Sequence, residues 1–171
     1  MSSVIWKNWK LDRNMTNREI HITYQEFASI NELSPEDREL VTEAIQAMQG
    51  AYAPYSHFHV GAAVRMSNGQ IVRGANQENA AFPSGICAER TAMFAAGSRF
   101  PDKDMLSIAI AGGVLGRLGS QPATPCGACR QVMAQYQAKS GKPMSVLMVA
   151  EGKILKFEKV DDILPLIFNS I

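Results

Sequence analysis

A layered α/β domain is what this sequence predicts, and three observations lead there. Segments with helical periodicity alternate with short apolar runs, an Asn68-Gly69 turn joins two strand-like stretches into a hairpin, and no repeat, low-complexity tract or linker divides the chain. The sheet should therefore open with an antiparallel hairpin and continue with strands joined through helices. At 171 residues the chain fits one domain with a substantial core.

Residues 1–31 differ from the rest. They hold both tryptophans, Trp6 and Trp9, scattered Lys and Arg, and an alternating Ile20, Ile22, Tyr24 stretch that suits an edge strand or an arm as well as a partly ordered tail. Ser34-Pro35-Glu36-Asp37 starts a helix, with Ser34 as N-cap, Pro35 at the first helical position and acids in the first turn. Leu40, Val41, Ala44, Ile45 and Met48 then share one face, so this helix should cover one side of the sheet. Gly50 to Ser56 is rich in turn residues, and from Phe58 the alternate positions Phe58, Val60, Ala62, Val64 and Met66 form a strand face. After Asn68-Gly69, Ile71 to Asn76 returns as the second strand of the hairpin.

Cys87 to about Arg99 has helical composition, with Ala88, Ala92, Ala95 and Ala96 giving small residues that let a helix approach a sheet closely. Leu106 to Ala111 and Val146 to Ala150 are short apolar runs suited to buried strands, and between them Cys126 to about Lys139 reads as a helix ended by Gly141. Lys153 to Phe157 is a final short strand. Val160 to Phe168 reads as a terminal helical piece interrupted by Pro165.

Lys plus Arg exceed Asp plus Glu by one, 17 against 16, with no dense basic run, so a polynucleotide partner has no electrostatic footprint. Hydrophobic residues at 46% and charged residues at 19% suit a globular chain rather than a membrane or disordered one. A small neutral or weakly charged substrate fits better. Three cysteines cannot all pair, and no apolar stretch near Met1 reads as a signal peptide, so a reducing cytoplasm is the simplest compartment.

All three cysteines fall in two short stretches, Cys87-Ala88-Glu89 and Pro125-Cys126-Gly127-Ala128-Cys129. Three thiolates can hold zinc and leave its fourth tetrahedral position to water, the arrangement a catalytic zinc needs. Both stretches lie at expected helix starts, where free amides and the macrodipole stabilise thiolates. Three thiolates around a dication leave surplus negative charge, which two helix ends and hydrogen bonds from Arg90 or Arg130 could offset. Glu89, two residues after Cys87, is close enough to move protons between a zinc-bound water and a substrate without being a ligand. Two plainer readings compete. A redox pair at Cys126 and Cys129 would leave Cys87 and Glu89 unexplained, and a closed zinc knot would need His21, His57 or His59, none at ligand spacing from a cysteine stretch.

Cys-x-Glu followed by Pro-Cys-x-x-Cys resembles the all-cysteine form of a known zinc nucleobase deaminase signature. Tyr52-Ala53-Pro54-Tyr55-Ser56-His57-Phe58-His59-Val60-Gly61-Ala62-Ala63, Asn76-Gln77-Glu78-Asn79-Ala80, Cys87-Ala88-Glu89-Arg90-Thr91-Ala92 and Pro125-Cys126-Gly127-Ala128-Cys129-Arg130-Gln131 closely resemble the short cytidine deaminases. Leu164-Pro165 followed by Phe168 resembles their C-terminal end. The likeness runs from about Leu40 to Phe168. It implies a three-layer α/β/α fold with a mixed five-stranded sheet and helices on both faces, residues 32–171 forming the catalytic domain and 1–31 an extension.

The resemblance also implies roles. Cys87, Cys126 and Cys129 would hold one zinc per subunit, Glu89 would be the proton shuttle, and Arg90 would temper the thiolates. Asn76 and Glu78 match the pair that holds the ribose 3′-hydroxyl, Phe58 the ring that packs on the pyrimidine, and Ala88 a backbone amide near the base carbonyl. Phe168 matches an aromatic that reaches into a neighbouring subunit's site, in a homotetramer. The implied activity is hydrolytic deamination of cytidine and deoxycytidine in pyrimidine salvage, with neither nucleic acid nor membrane as partner. Ala75, Thr124 and the Gly112 to Gln121 loop depart from the family pattern without touching a proposed catalytic group. Rival readings are a deaminase for a cytosine antibiotic such as blasticidin S, on which a ribose-holding pair would be wasted, a polynucleotide-editing deaminase, and a zinc-stabilised interaction module.

Overall fold

The computed structural model describes residues 16–169; Trp6 and Trp9 lie outside them. Its strands are β1 (Gln25–Phe27), β2 (Phe58–Met66), β3 (Ile71–Ala75), β4 (Met105–Val114), β5 (Ser145–Ala150) and β6 (Lys153–Phe157), and its helices α1 (Pro35–Ala47), α2 (Ala88–Arg99) and α3 (Gly127–Ser140). The sheet order is β1-β6-β5-β4-β2-β3, with β4 and β5 parallel and every other neighbouring pair antiparallel. The mixed α/β expectation holds, with six strands in place of five. The extra strand is short β1, whose Gln25, Glu26 and Phe27 pair with Lys156, Leu155 and Ile154 and cover the open edge of β6. Ile20, Ile22 and Tyr24 precede that strand and are exposed, so the alternation marked an approach to the sheet rather than the strand itself.

Each helix starts where its sequence chemistry dictates. Ser34 caps α1, its hydroxyl accepting from the Asp37 amide at 3.1 Å, and Pro35 follows at a position that needs no amide donor. At the far end of α3, Gly141 takes the left-handed conformation, φ 64°, that ends a helix without a Cβ clash. The parallel pair β4 and β5 needs a crossover, and α3 supplies it.

Two apolar layers result. On one face α1 buries Leu40, Val41 and Ala44 against Ala63, Ala109, Ala111, Leu147 and Val149. On the other, Ala92, Met93 and Ala96 of α2 and Met133 of α3 pack against Ala62, Val64, Ile108, Ile110, Val146 and Met148. Covered on both faces, β2 and β4 are apolar through their middles, Val60 to Val64 and Ile108 to Val114. Helices approach the sheet through glycine: a Cβ on Gly61 would lie 2.2 Å from the Ala44 carbonyl oxygen, and one on Gly74 2.3 Å from the Ala92 nitrogen.

The C-terminal helical piece does not form beyond a single 3-10 turn at Val160–Asp162. Pro165 lacks an amide and disfavours helical backbone at Leu164, while the Ile163 carbonyl takes a hydrogen bond from Arg130 instead of from a helical amide.

Candidate active site

Cys87 and Cys126 are the residues immediately before α2 and α3, both in extended backbone, so each thiol projects from a helix N-terminus. Cys129 lies in the first turn of α3 and is buried. The Cys126 sulfur lies 3.8 Å from that of Cys87 and 3.4 Å from that of Cys129, and all three fall within 4.8 Å of one another. Tetrahedral zinc with bonds of about 2.3 Å separates its sulfurs by about 3.8 Å, so the cluster has the dimensions of a zinc site. His21, His57 and His59 take no part in it.

The charges around the sulfurs also suit a cation. Hydrogen bonding from Cys129, with help from Arg90 and Cys126 and against the cost of burial, lowers the Cys87 thiol to about 5. The Cys129 thiol is pushed up instead, by its place beside Cys87, by burial and by the nearby Glu89. One thiolate thus forms readily and the next is opposed by accumulating negative charge, an opposition that a bound dication removes. Arg90 reaches Cys87 Sγ from Nη2 at 3.8 Å, and its Nε is the one buried side-chain nitrogen or oxygen without a partner among the described residues. An orphaned cationic donor against a thiolate cluster fits a metal centre carrying surplus negative charge. Arg130 does not share this task; it donates to the Pro125 and Ile163 carbonyls, both at 2.8 Å.

In front of the cluster opens a cavity of about 600 Å³, large enough for a nucleoside. Its lining includes Cys87, Ala88, Glu89 and Cys126 from the starts of α2 and α3, together with Phe58, Val60, Asn76 and Ile110. Glu89 is only 4% exposed, and burial, reinforced by the Cys87 charge, raises its carboxyl above the usual range. Ala88 opens α2, so its amide has no intrahelical acceptor. Asn76 clamps the start of β2: its Oδ1 accepts from the Val60 amide at 2.8 Å and its Nδ2 donates to the Phe58 carbonyl at 2.9 Å.

Two expected residues do not line this cavity. Glu78 is absent from the lining, its Oε2 accepting from the amides of Tyr55 and Ser56 at 2.9 and 3.3 Å, and the Ser56 hydroxyl chiefly, then the Tyr55 amide, hold its carboxyl below the usual range. Phe168 is 67% exposed and lines no part of the cavity of its own chain. Gly119 to Thr124, which also line the cavity, have no role assigned from the sequence. Its signal was available in principle, because a segment running directly into Pro125-Cys126 must pass the metal-binding end of α3.

The model of the cytidine and deoxycytidylate deaminase zinc-binding region matches residues 34–142. The chain belongs to the cytidine and deoxycytidylate deaminase family. It therefore carries a zinc-binding deaminase domain, a hydrolase, and Cys87, Cys126 and Cys129 form a cluster able to hold the metal. A cytidine deaminase of Halalkalibacterium halodurans is 51% identical over 96 residues, covering 56% of this chain and 68% of that one. Among solved structures, cytidine deaminase from Burkholderia pseudomallei is 37% identical with TM-score 0.65, covering 76% of this chain and 97% of the other. Cytidine deaminase from Mycobacterium tuberculosis is 31% identical with TM-score 0.63, covering 80% and 100%. This deaminase domain contains, among the described residues, no helix long and apolar enough to cross a membrane.

Proposed function

We propose that the protein hydrolyses cytidine and deoxycytidine to uridine and deoxyuridine with release of ammonia, serving pyrimidine salvage in the cytoplasm. The observation that carries this reading is Glu89, a buried carboxyl in the cavity wall next to three clustered thiols. When bound, zinc supplies the Lewis acidity that makes water nucleophilic at neutral pH. Cys87, Cys126 and Cys129 hold it, with the ends of α2 and α3 and the Arg90 guanidinium offsetting the thiolate charge.

Glu89 takes a proton from the water that attacks C4 and delivers it to N3 of the base. It then carries a second proton to the amine as the C4–N bond breaks and the C4 carbonyl forms, so that one water and one nucleoside yield one ammonia. Phe58 packs on the pyrimidine, and the Ala88 amide faces the base carbonyl. Asn76 keeps a second Nδ2 hydrogen and Glu78 keeps Oε1 for the ribose 3′-hydroxyl, since their other groups are engaged with backbone. Residues 32–171 form the catalytic domain and 1–31 an extension. Four copies assemble, and Phe168 completes a neighbour's site.

The test is a side-by-side assay of zinc-loaded protein with cytidine, deoxycytidine, blasticidin S and single-stranded DNA, with products identified by chromatography. Conversion of the two nucleosides alone supports the reading. Turnover of the antibiotic or the polynucleotide without the nucleosides would sink it.

A further inference from the structure

Gln131 and Arg130 form consecutive links between the metal-bearing end of α3 and the C-terminal tail, and the deaminase reading gives neither this work. The Gln131 side chain makes two opposed hydrogen bonds with the backbone of one residue, Nε2 donating to the Phe168 carbonyl at 2.7 Å and Oε1 accepting from the Phe168 amide at 3.3 Å. This amide pair copies the exchange between two strand residues and leaves the backbone little freedom to rotate. Five residues earlier, Arg130 holds the Ile163 carbonyl at 2.8 Å while its Nε donates to the carbonyl of Pro125, next to Cys126. Between the two tethers Leu164 and Ile167 pack on the apolar layer beneath α2 and α3, and Pro165 fixes one backbone angle. The tail has no helix or strand of its own to set its course here. Its direction is therefore fixed by α3, and the Phe168 ring at its end projects outward into solvent.

We propose that Gln131 is a positioning residue for the reaction: it aims Phe168, so that the aromatic ring reaches the nucleoside held by a neighbouring copy. The proposal rests on the reading of Phe168 as part of that neighbour's site. Because Gln131 lies two residues after Cys129, the side chain that directs the ring belongs to the same helical turn as a metal-binding thiol. A subunit whose α3 start is ordered thus presents its ring to its neighbour in one orientation.

The experiment compares steady-state kinetics and zinc content of Q131A, Q131E, F168A and the Q131A/F168A pair, with amide exchange at residue 168 as a separate readout. Losing an aromatic contact should raise KM for cytidine in F168A by about 3- to 10-fold, with a smaller change in kcat. Q131A should raise KM in the same direction with zinc content unchanged, speed exchange of the Phe168 amide, and add less than about twofold when Phe168 is already gone. Q131E keeps the acceptor and loses the donor, and should fall between wild type and Q131A. KM effects that multiply in the double variant, or a Q131A enzyme with normal KM beside an impaired F168A, would overturn the positioning role. An unchanged KM in F168A instead removes the neighbour-site reading and this proposal with it, while amide exchange still decides whether Gln131 holds the tail.

Discussion

Glu89 is a buried carboxyl two residues after Cys87. Its candidacy as a proton shuttle was readable because such a group must sit beside the metal it serves, and the fold buries it in the cavity wall. Replacing it by Gln should lower turnover at least about 10²-fold while leaving bound zinc unchanged, measured by ammonia release and metal analysis on the same sample. Retained turnover would remove it from the mechanism. The Arg90 guanidinium lies against the Cys87 sulfur and, in the proposed mechanism, offsets the thiolate charge. R90A should weaken zinc binding by about 10- to 100-fold in competition with a chromogenic chelator. The three cysteines were legible because all of them fall in two motifs, whereas Gly119 to Thr124 carried no chemical side chain that declares a role. By residue chemistry alone Arg130 was indistinguishable from Arg90, each standing next to a motif residue, and only the family resemblance singled out Arg90. Only three-dimensional placement sends one to sulfur and the other to two carbonyls.

Elements were legible where local chemistry and periodicity agreed. Ser34 and Pro35 fixed the start of α1, and Gly141 the end of α3. The tail was misread because the apolar spacing of Val160 to Phe168 suited a helix, while Pro165 and a long-range hydrogen bond from Arg130 decided otherwise. Close packing of helix on sheet leads to a stability prediction: G61A forces a methyl into the backbone of α1 and should cost about 1–3 kcal/mol or more, read from the denaturant midpoint. An unchanged midpoint would mean that α1 is free to shift. The start of α1 is tied to β6 by Lys156, whose ammonium lies 2.9 Å from the Asp37 carboxylate with both side chains largely buried. Burial pulls the Lys156 proton affinity down, but the hydrogen bond and charge of Asp37, with Glu158, outweigh it and leave it raised. A raised folded value means stability that is fully present below the unfolded value of about 10.4 and lost as pH climbs through the folded one. K156M should therefore be less stable than wild type at neutral pH, with the gap narrowing in alkaline denaturation series.

At the scale of the whole molecule, the α/β layering was legible because β4 and β5 are short apolar runs, β2 has one alternating apolar face, and helical segments stand between them. The sixth strand was not, since Gln25-Glu26-Phe27 has almost no hydrophobic pattern and pairs only because β6 offers an edge. Assembly is an expectation of the resemblance alone, and the surface offers apolar side chains that it would cover: Phe82, Leu115, Leu166 and Phe168 are all large and at least two-thirds exposed. Light scattering should give four times the 18.7 kDa chain mass, and an active monomer would contradict the shared site. In the proposed mechanism three thiolates hold one zinc, and Glu89 beside it moves the protons of the hydrolysis. Zinc titrated into metal-free protein, with ammonia release from cytidine followed at each addition, tests it most directly. Activity should rise linearly and saturate at one zinc per chain, whereas full activity without zinc, or a zinc-saturated protein that releases no ammonia, would contradict the account.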